Sequence, residues 1–141
     1  MLTTNSSVEF LINLTKFQTE LSRRLDSKLN GIALNELIIL AHLKKAENHK
    51  MRRVDLAEKV GLTASGITRL LLPMEKIGLI KKEAHEKDAR VSFVLLASGG
   101  ETKLKEGLER IEIFAEEIIP SDQKTQIETF SELLITVGKN L

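Results

Sequence analysis

A mainly helical α+β fold is what this sequence predicts, on three observations. Apolar residues recur at three- and four-residue steps through most of the 141 residues. Two β-compatible runs flank a single charged stretch, His85 to Arg90. Glycines stand where helical stripes end, at Gly31, Gly61 and Gly78. The resulting layout is four helices, a β-hairpin and two further helices.

The first helix is expected from about Val8 to Leu29, with Phe10, Leu14, Phe17, Leu21 and Leu25 on one face and Leu11 and Val8 widening it. Asn30-Gly31 stops it, because both residues tolerate left-handed φ. A second helix covers about Leu34 to Lys45, with Leu37, Ile38, Leu40, Ala41 and Leu43 apolar. Residues 47–50 read as a loop. A short helix, about Arg53 to Val60, ends at Gly61, and Thr63 is placed to cap a longer one to about Ile77. The hairpin strands are 79–84 and 91–96. Ser98 and Glu101 have the spacing of a capping box for a helix to about Ile118, carrying Leu104, Leu108, Ile111 and Ala115 on one side. Pro120 breaks the pattern, and Ser121 or Asp122 is placed to cap a last helix bearing Ile127, Phe130, Leu134, Val137 and Leu141.

At 15.8 kDa the chain has the size of one domain, which buries about two-thirds of its unfolded surface and needs no disulfide or metal to fold. An apolar fraction of 42% and a charged fraction of 29% are those of a soluble globular protein. No apolar run approaches the roughly 20 residues of a membrane span. The segment MLTTNSSVEF lacks the basic and apolar regions of a secretion signal. No membrane partner is expected, and the expected compartment is the cytoplasm. The absence of cysteine excludes disulfides, thiolate metal sites, cysteine nucleophiles and thiol redox sensing.

The net charge of +1 conceals an asymmetry. Residues 31–95 hold 12 Lys/Arg against 8 Asp/Glu, whereas residues 96–141 hold 5 against 9. A polyanionic partner is therefore permitted for the middle of the chain only.

The stretch DLAEKVGLTASGITRL, Asp55 to Leu70, has the requirements of a helix-turn-helix. Ala57 is small where two helices cross, Gly61 supplies the tight turn, and Ile67 packs the second helix back on the first. Leu56, Val60, Leu62 and Leu70 complete a miniature core; the competing interpretation is any helical hairpin with a glycine turn. At about 100° per residue, Ile67, Leu70, Leu71, Met74 and Ile77 share one arc of the second helix. Ser65, Thr68, Arg69, Leu72 and Lys76 share the other. Such a face enters a major groove without clash. Arg69 is suited to bidentate pairing with guanine, Ser65 and Thr68 to bases or phosphates. Gly66 has two candidate reasons, a close approach of backbone to DNA or tight packing on the preceding helix. Leu72 is apolar on an otherwise polar face, and Pro73 should bend the axis.

A hairpin directly after the second helix is the order of a winged helix-turn-helix. Its tip, Glu86-Lys87-Asp88-Ala89-Arg90, sets a cation beside a carboxylate. A narrow minor groove attracts an inserted arginine, and Asp88 is placed to fix the Arg90 guanidinium by a charge-assisted hydrogen bond. An ordinary solvated hairpin with a surface ion pair is the plainer alternative.

On these residues the chain resembles the MarR family of bacterial transcriptional regulators, over about residues 8–141. The resemblance is carried by DLAEKVGLTASGITRLLLPMEKIGLI (Asp55 to Ile80) and DARVSFVLLASGG (Asp88 to Gly100). It implies a homodimer on a near-palindromic operator, recognition helices in major grooves and wings in minor grooves. It also implies that Arg90 is the wing arginine and Asp88 its partner. Three positions depart from the family pattern. Ala97 stands where threonine is usual, with Ser98 able to take over the cap. Leu72 replaces a polar or acidic residue. Pro73 replaces a basic one, which loses a phosphate contact.

The chain is thus expected to be a single MarR-like domain, 1–141, with a DNA-binding lobe at about 31–97 and dimerisation helices at about 1–30 and 98–141. The DNA-binding set is Ser65, Thr68, Arg69, Lys76, Lys87, Asp88 and Arg90. The stripes Phe10, Phe17, Leu21 and Ile127, Phe130, Leu134, Val137 bury one another across a two-fold axis, unless they pack within one subunit. The family often binds small ligands between its dimer helices and DNA-binding lobe; this sequence names none. His42, His49 and His85 lack zinc-ligand spacing, no nucleophile–base set is present, and no metal, cofactor or enzymatic activity is expected. The expected activity is sequence-specific DNA binding by a repressor relieved by a small ligand. The alternative is a winged-helix protein-interaction module that no longer binds DNA, which Leu72 and Pro73 favour.

Overall fold

Asn5 caps the first helix, α1 (Ser6–Lys28), through its side-chain oxygen, which accepts from the Ser7 and Val8 amides. The computed structural model describes residues 1–141. After α1, Asn30 and Gly31 take positive φ of 51° and 90° and turn the chain into α2 (Leu34–Lys45). The start of α2 is held from outside: the Asp26 carboxylate of α1 accepts from the Leu34 amide at 2.7 Å. Ile39, Leu40 and Leu43 of α2 are fully buried. Such burial contributes roughly 1.5–3 kcal/mol per side chain. Ile39, which the expected apolar stripe omitted, lies at the centre because α2 is covered on nearly all sides by α1, α3, α5 and the sheet.

Residues 47–49 form a 3-10 turn rather than an irregular loop, and Lys50–Arg52 form a strand, β1, that was not expected. Three residues are too few to show alternation. Helices α3 (Arg53–Val60) and α4 (Ala64–Lys76) follow, then β2 (Ile80–Ala84) and β3 (Ser92–Leu96). The expected hairpin is therefore part of a three-stranded antiparallel sheet of order β1-β3-β2, with Met51 opposite Val94 and Lys82 opposite Val94 from the other side.

Two expected caps are corrected. Helix α5 (Ser98–Ile118) begins at Ser98, so Ala97 occupies the cap position and no side chain fills it. The Glu101 carboxylate instead pairs with Lys44 of α2 at 2.7 Å. The geometry is set by closeness. A Cβ on Gly99 would lie 2.7 Å from the Gly78 carbonyl oxygen, and one on Gly100 would collide with the Leu79 carbonyl. Neither Ser121 nor Asp122 caps the last helix, because a 3-10 turn (Ser121–Gln123) starting from Pro120 precedes α6 (Lys124–Gly138).

One core joins α2, α3, α4 and the sheet, with Leu56, Ile67, Leu71, Met74, Ile80 and Val94 almost fully buried. Gly107 and Phe114, more than Leu108, are the inward residues of α5; Leu108 is exposed. Helix α6 has no buried residue, and its apolar face lies open beside the N-terminal half of α1. No helix is long and apolar enough to cross a membrane.

Candidate nucleic-acid interface

The two helices of the expected helix-turn-helix are joined by Gly61 at φ 80°, a left-handed position that closes α3. Its amide donates to the Ala57 and Glu58 carbonyls, and the Leu62 amide returns to Ala57. Thr63 caps α4 by accepting from the Gly66 amide at 3.0 Å. Tight packing on α3 is not what favours glycine at 66. A Cβ there would meet only the Thr63 hydroxyl oxygen at 3.0 Å and Leu62 Cβ at 3.8 Å.

Ile67, Leu71 and Met74 face the core from α4. Ser65, Arg69, Leu72 and Lys76 are exposed and Thr68 is half-buried, so the outward face is the one read from periodicity. Ile77 is the exception to the inward arc: it follows the last turn of α4 and is 63% exposed. Pro73 is accommodated within α4. Lacking an N–H, it leaves the Arg69 carbonyl without its i+4 donor on the solvent side.

Thr68 is less free than its position suggests. Its hydroxyl donates to the Ala64 carbonyl at 2.9 Å and accepts from Arg53 Nη1 at 2.9 Å. Arg53, at the start of α3, thereby joins the outward face. It lines an open groove of about 470 Å³ with Ala64, Ser65, Thr68, Arg69 and Leu72. Arg53 was not among the expected site residues, because its sequence neighbourhood does not show that it reaches across to α4. Arg52 beside it is committed elsewhere. It donates to Asp55 at 2.8 and 3.1 Å, which raises the guanidinium pKa and lowers that of the carboxyl.

The β2–β3 tip is built by local hydrogen bonds. His85 donates its amide to the Val91 carbonyl, and its Nδ1 accepts from the Lys87 and Asp88 amides at 3.1 and 3.2 Å. The imidazole stacks on Phe93 with centroids 5.7 Å apart. Asp88 Oδ1 accepts from both the Arg90 amide at 3.0 Å and Arg90 Nε at 3.1 Å. These bonds, side chain first, hold the Asp88 carboxyl below its usual pKa. The Arg90 side chain is nonetheless 91% exposed, so the guanidinium is oriented without being buried. Lys87 at the tip is exposed and makes no ion pair, while Lys82 is paired with Glu75 at 3.4 Å. The structure therefore presents Ser65, Arg69 and Lys76 on one helix face and Lys87, Asp88 and Arg90 on one hairpin tip. An α-helix about 10–12 Å across fits a major groove about 12 Å wide.

The apolar stripes are also brought together. Phe10 and Phe130 make an edge-to-face pair at 6.0 Å, and with Leu14, Phe17 and Ile127 they line an open cavity of about 410 Å³. Leu21, Leu134 and Val137 are half-buried. A second cleft, about 300 Å³, lies between the end of α1 and α5 and includes Lys28, Arg110, Phe114 and Glu117. Lys28 Nζ stands 5.4 Å and the Arg24 guanidinium 5.8 Å from the centre of the Phe114 ring.

Comparison with known proteins agrees with this architecture. The chain is 22% identical over 111 residues to the uncharacterized HTH-type transcriptional regulator YdgJ of Bacillus subtilis; the match spans 79% of this chain and 66% of that protein's length. The fold is similar to that of Sco3205, a MarR family transcriptional regulator from Streptomyces coelicolor solved in complex with DNA. That likeness has a TM-score of 0.83 at 20% identity, covering 100% of this chain and 92% of the other. It is also similar to a mutant MarR from E. coli complexed with operator DNA, with a TM-score of 0.72 at 19% identity over 94% of each chain. Residues 32–92, from just before α2 to the first residue of β3, match the family model described as the MarR family.

Proposed function

We propose that this protein is a DNA-binding regulator that works as a homodimer, a repressor on a near-palindromic operator from which a small ligand releases it. The carrying observation is the outward face of α4, exposed and cationic at Arg69 and Lys76, next to a wing whose Arg90 is oriented by Asp88 yet 91% exposed. The relatives solved with DNA are consistent with that use of the fold. In this reading residues of about 31–97 form the DNA-binding lobe, and about 1–30 and 98–141 supply the dimer. Ser65, Thr68, Arg69, Lys76, Lys87, Asp88 and Arg90 make or orient the DNA contacts. Phe10, Phe17, Leu21, Ile127, Phe130, Leu134 and Val137 form the subunit interface. The excess acidic charge after residue 96 then lies away from phosphate. The cleft lined by Lys28, Arg110, Phe114 and Glu117, where Lys28 stands over the Phe114 ring, supports a small ligand carrying an anionic group as the releasing signal. The working compartment is the cytoplasm.

Selection of bound genomic fragments, followed by a salt titration on the enriched duplex and on random duplex, tests this reading. The expected site is an inverted repeat with half-sites about 10 base pairs apart. With about three phosphate contacts per subunit, the slope of log affinity against log salt is about −5. Leu72, 48% exposed on the same face, favours a second reading, a winged-helix module for protein contacts. No enriched sequence and no salt dependence would decide for that one.

A further inference from the structure

We infer that Leu72 is a specificity-determining residue that reads the C5-methyl group of thymine in the major groove, an inference that rests on the DNA-binding function proposed above. Four features carry it.

Leu72 is 48% exposed on α4, on the face that holds Ser65, Thr68 and Arg69. It lines the same open groove as Arg53, Ala64, Ser65, Thr68 and Arg69. An apolar side chain in a groove that also holds the guanidinium-bearing Arg53 and Arg69 suits an apolar spot beside phosphate. Thymine in duplex DNA is such a spot, because its methyl group is the apolar feature that a base edge offers in the major groove.

The polar alternatives on that face are also reduced. The Thr68 hydroxyl has given its one proton to the Ala64 carbonyl and one lone pair to Arg53. It retains a single acceptor position. The Ser65 hydroxyl lies 3.3 Å from the Thr63 hydroxyl, within the cap. Direct hydrogen-bond reading from this face thus falls mainly to Arg69 and Lys76. Ala64 and Leu72 add two apolar groups, and alanine is among the side chains that contact the thymine methyl. Leu72 is partly covered, so it reaches a base edge with part of its rotamer freedom already lost.

The test uses the full-length protein and a random-sequence duplex pool. Wild type, Leu72→Ser and Leu72→Ala are each taken through selection. The wild-type duplex is then resynthesised with deoxyuridine replacing one thymine at a time, which deletes the methyl group and keeps the base pair. Wild type should enrich thymine at a defined position in each half-site. Deoxyuridine there should weaken it about fourfold, the factor equivalent to about 0.8 kcal/mol for one buried methyl. Leu72→Ser should lose both the thymine preference and the sensitivity to deoxyuridine while still binding duplex. Leu72→Ala should keep its fold, shown by an unchanged circular dichroism spectrum, and show the same loss of sensitivity. Wild type indifferent to every thymine methyl, or variants that retain the wild-type preference, would overturn the assignment while leaving the regulator reading standing. A wild type that enriches no sequence, with Leu72 exposed for a protein partner instead, would overturn both.

Discussion

Replacing Phe130 by glutamate tests the assembly on which the DNA geometry depends. Phe130 is 39% exposed and leans edge-to-face on Phe10, at the rim of a cavity with Phe17 and Ile127. A phenylalanine side chain has about 200 Å² to bury, so the exposed share is roughly 80 Å². At about 25 cal/mol per Å² its burial by a second copy contributes about 2 kcal/mol. A two-fold axis counts every residue twice, giving about 4 kcal/mol per dimer, or nearly a thousandfold in the dimer dissociation constant. The introduced carboxylate raises the cost further, because a charge buried without a partner loses its hydration. Sedimentation equilibrium of Phe130→Glu beside wild type measures the first quantity. A gel-shift titration measures the second, an equal loss of affinity for the inverted repeat with no DNA contact altered. Far-ultraviolet circular dichroism checks that α1 and α6 persist. A variant that dimerises as tightly as wild type, or a wild-type monomer that binds one half-site at full affinity, would refute the two-fold model.

Arg90→Ala should weaken operator binding by about 1–3 kcal/mol with an unchanged melting temperature, since the side chain is almost wholly exposed. Asp88→Ala should cost less, as it only orients the guanidinium; equal operator affinity of Arg90→Ala at matched salt would remove the wing from the mechanism. Arg53→Gln should weaken operator and random duplex alike and flatten the salt slope by about 0.9 per subunit if Arg53 holds phosphate. Arg69→Ala should instead narrow the gap between the two DNAs, and the same pattern in both variants would show that the face is docked differently. For pH, Lys44 holds the Glu101 carboxyl below its ordinary value of 4.5, through a hydrogen bond and charge. Its contribution is fully present above that value and is lost as pH falls through the lowered one, so Glu101→Gln should show a shallower loss of stability in acid. Burial, with help from Lys59 and Lys45, lowers His42 below 6.5. The unfolded chain therefore takes up its proton first, and wild type should lose stability below about that pH more steeply than His42→Asn, measured by urea titration.

The helices were legible wherever one face alone was apolar. The stripes on α1 and α4 and the glycines at 31, 61 and 78 place both ends of α1 and α4 and the end of α3 within two residues. Helix α2 was harder to read inside, because a helix wrapped on most sides has no polar face to orient it, and Ile39 escaped notice. Strand β1 escaped because three residues carry no period and its pairing with β3 spans more than forty positions. The Asp88–Arg90 bond was legible because both partners sit in one turn. The Arg53–Thr68 bond was not, since its partners lie fifteen residues apart on helices whose crossing only the packed core fixes. The caps of α5 and α6 were misread for a related reason. Residue type announces a cap, but at α5 tertiary closeness decided where the helix starts.

The close seat of α5 has a mechanical consequence. Gly99 and Gly100 bring the first turn of α5 directly against the carbonyls of Gly78 and Leu79, two of the three residues through which α4 passes into the wing. At Gly99 the contact is backbone on backbone, at Gly100 the Leu96 and Leu40 side chains close in beside the Leu79 carbonyl, and the Lys44–Glu101 pair at 2.7 Å ties the same turn to α2. Helix α5, at 21 residues, is a rod about 31 Å long. A tilt of roughly 3° about its far end moves the near end by about 1.6 Å over that length. In the proposed dimer the two reading helices must match grooves about 34–36 Å apart. If, as proposed, a small ligand seats between α1 and α5, it need not touch the reading head: a few degrees of leverage would put the two heads of the proposed dimer out of gauge with the double helix.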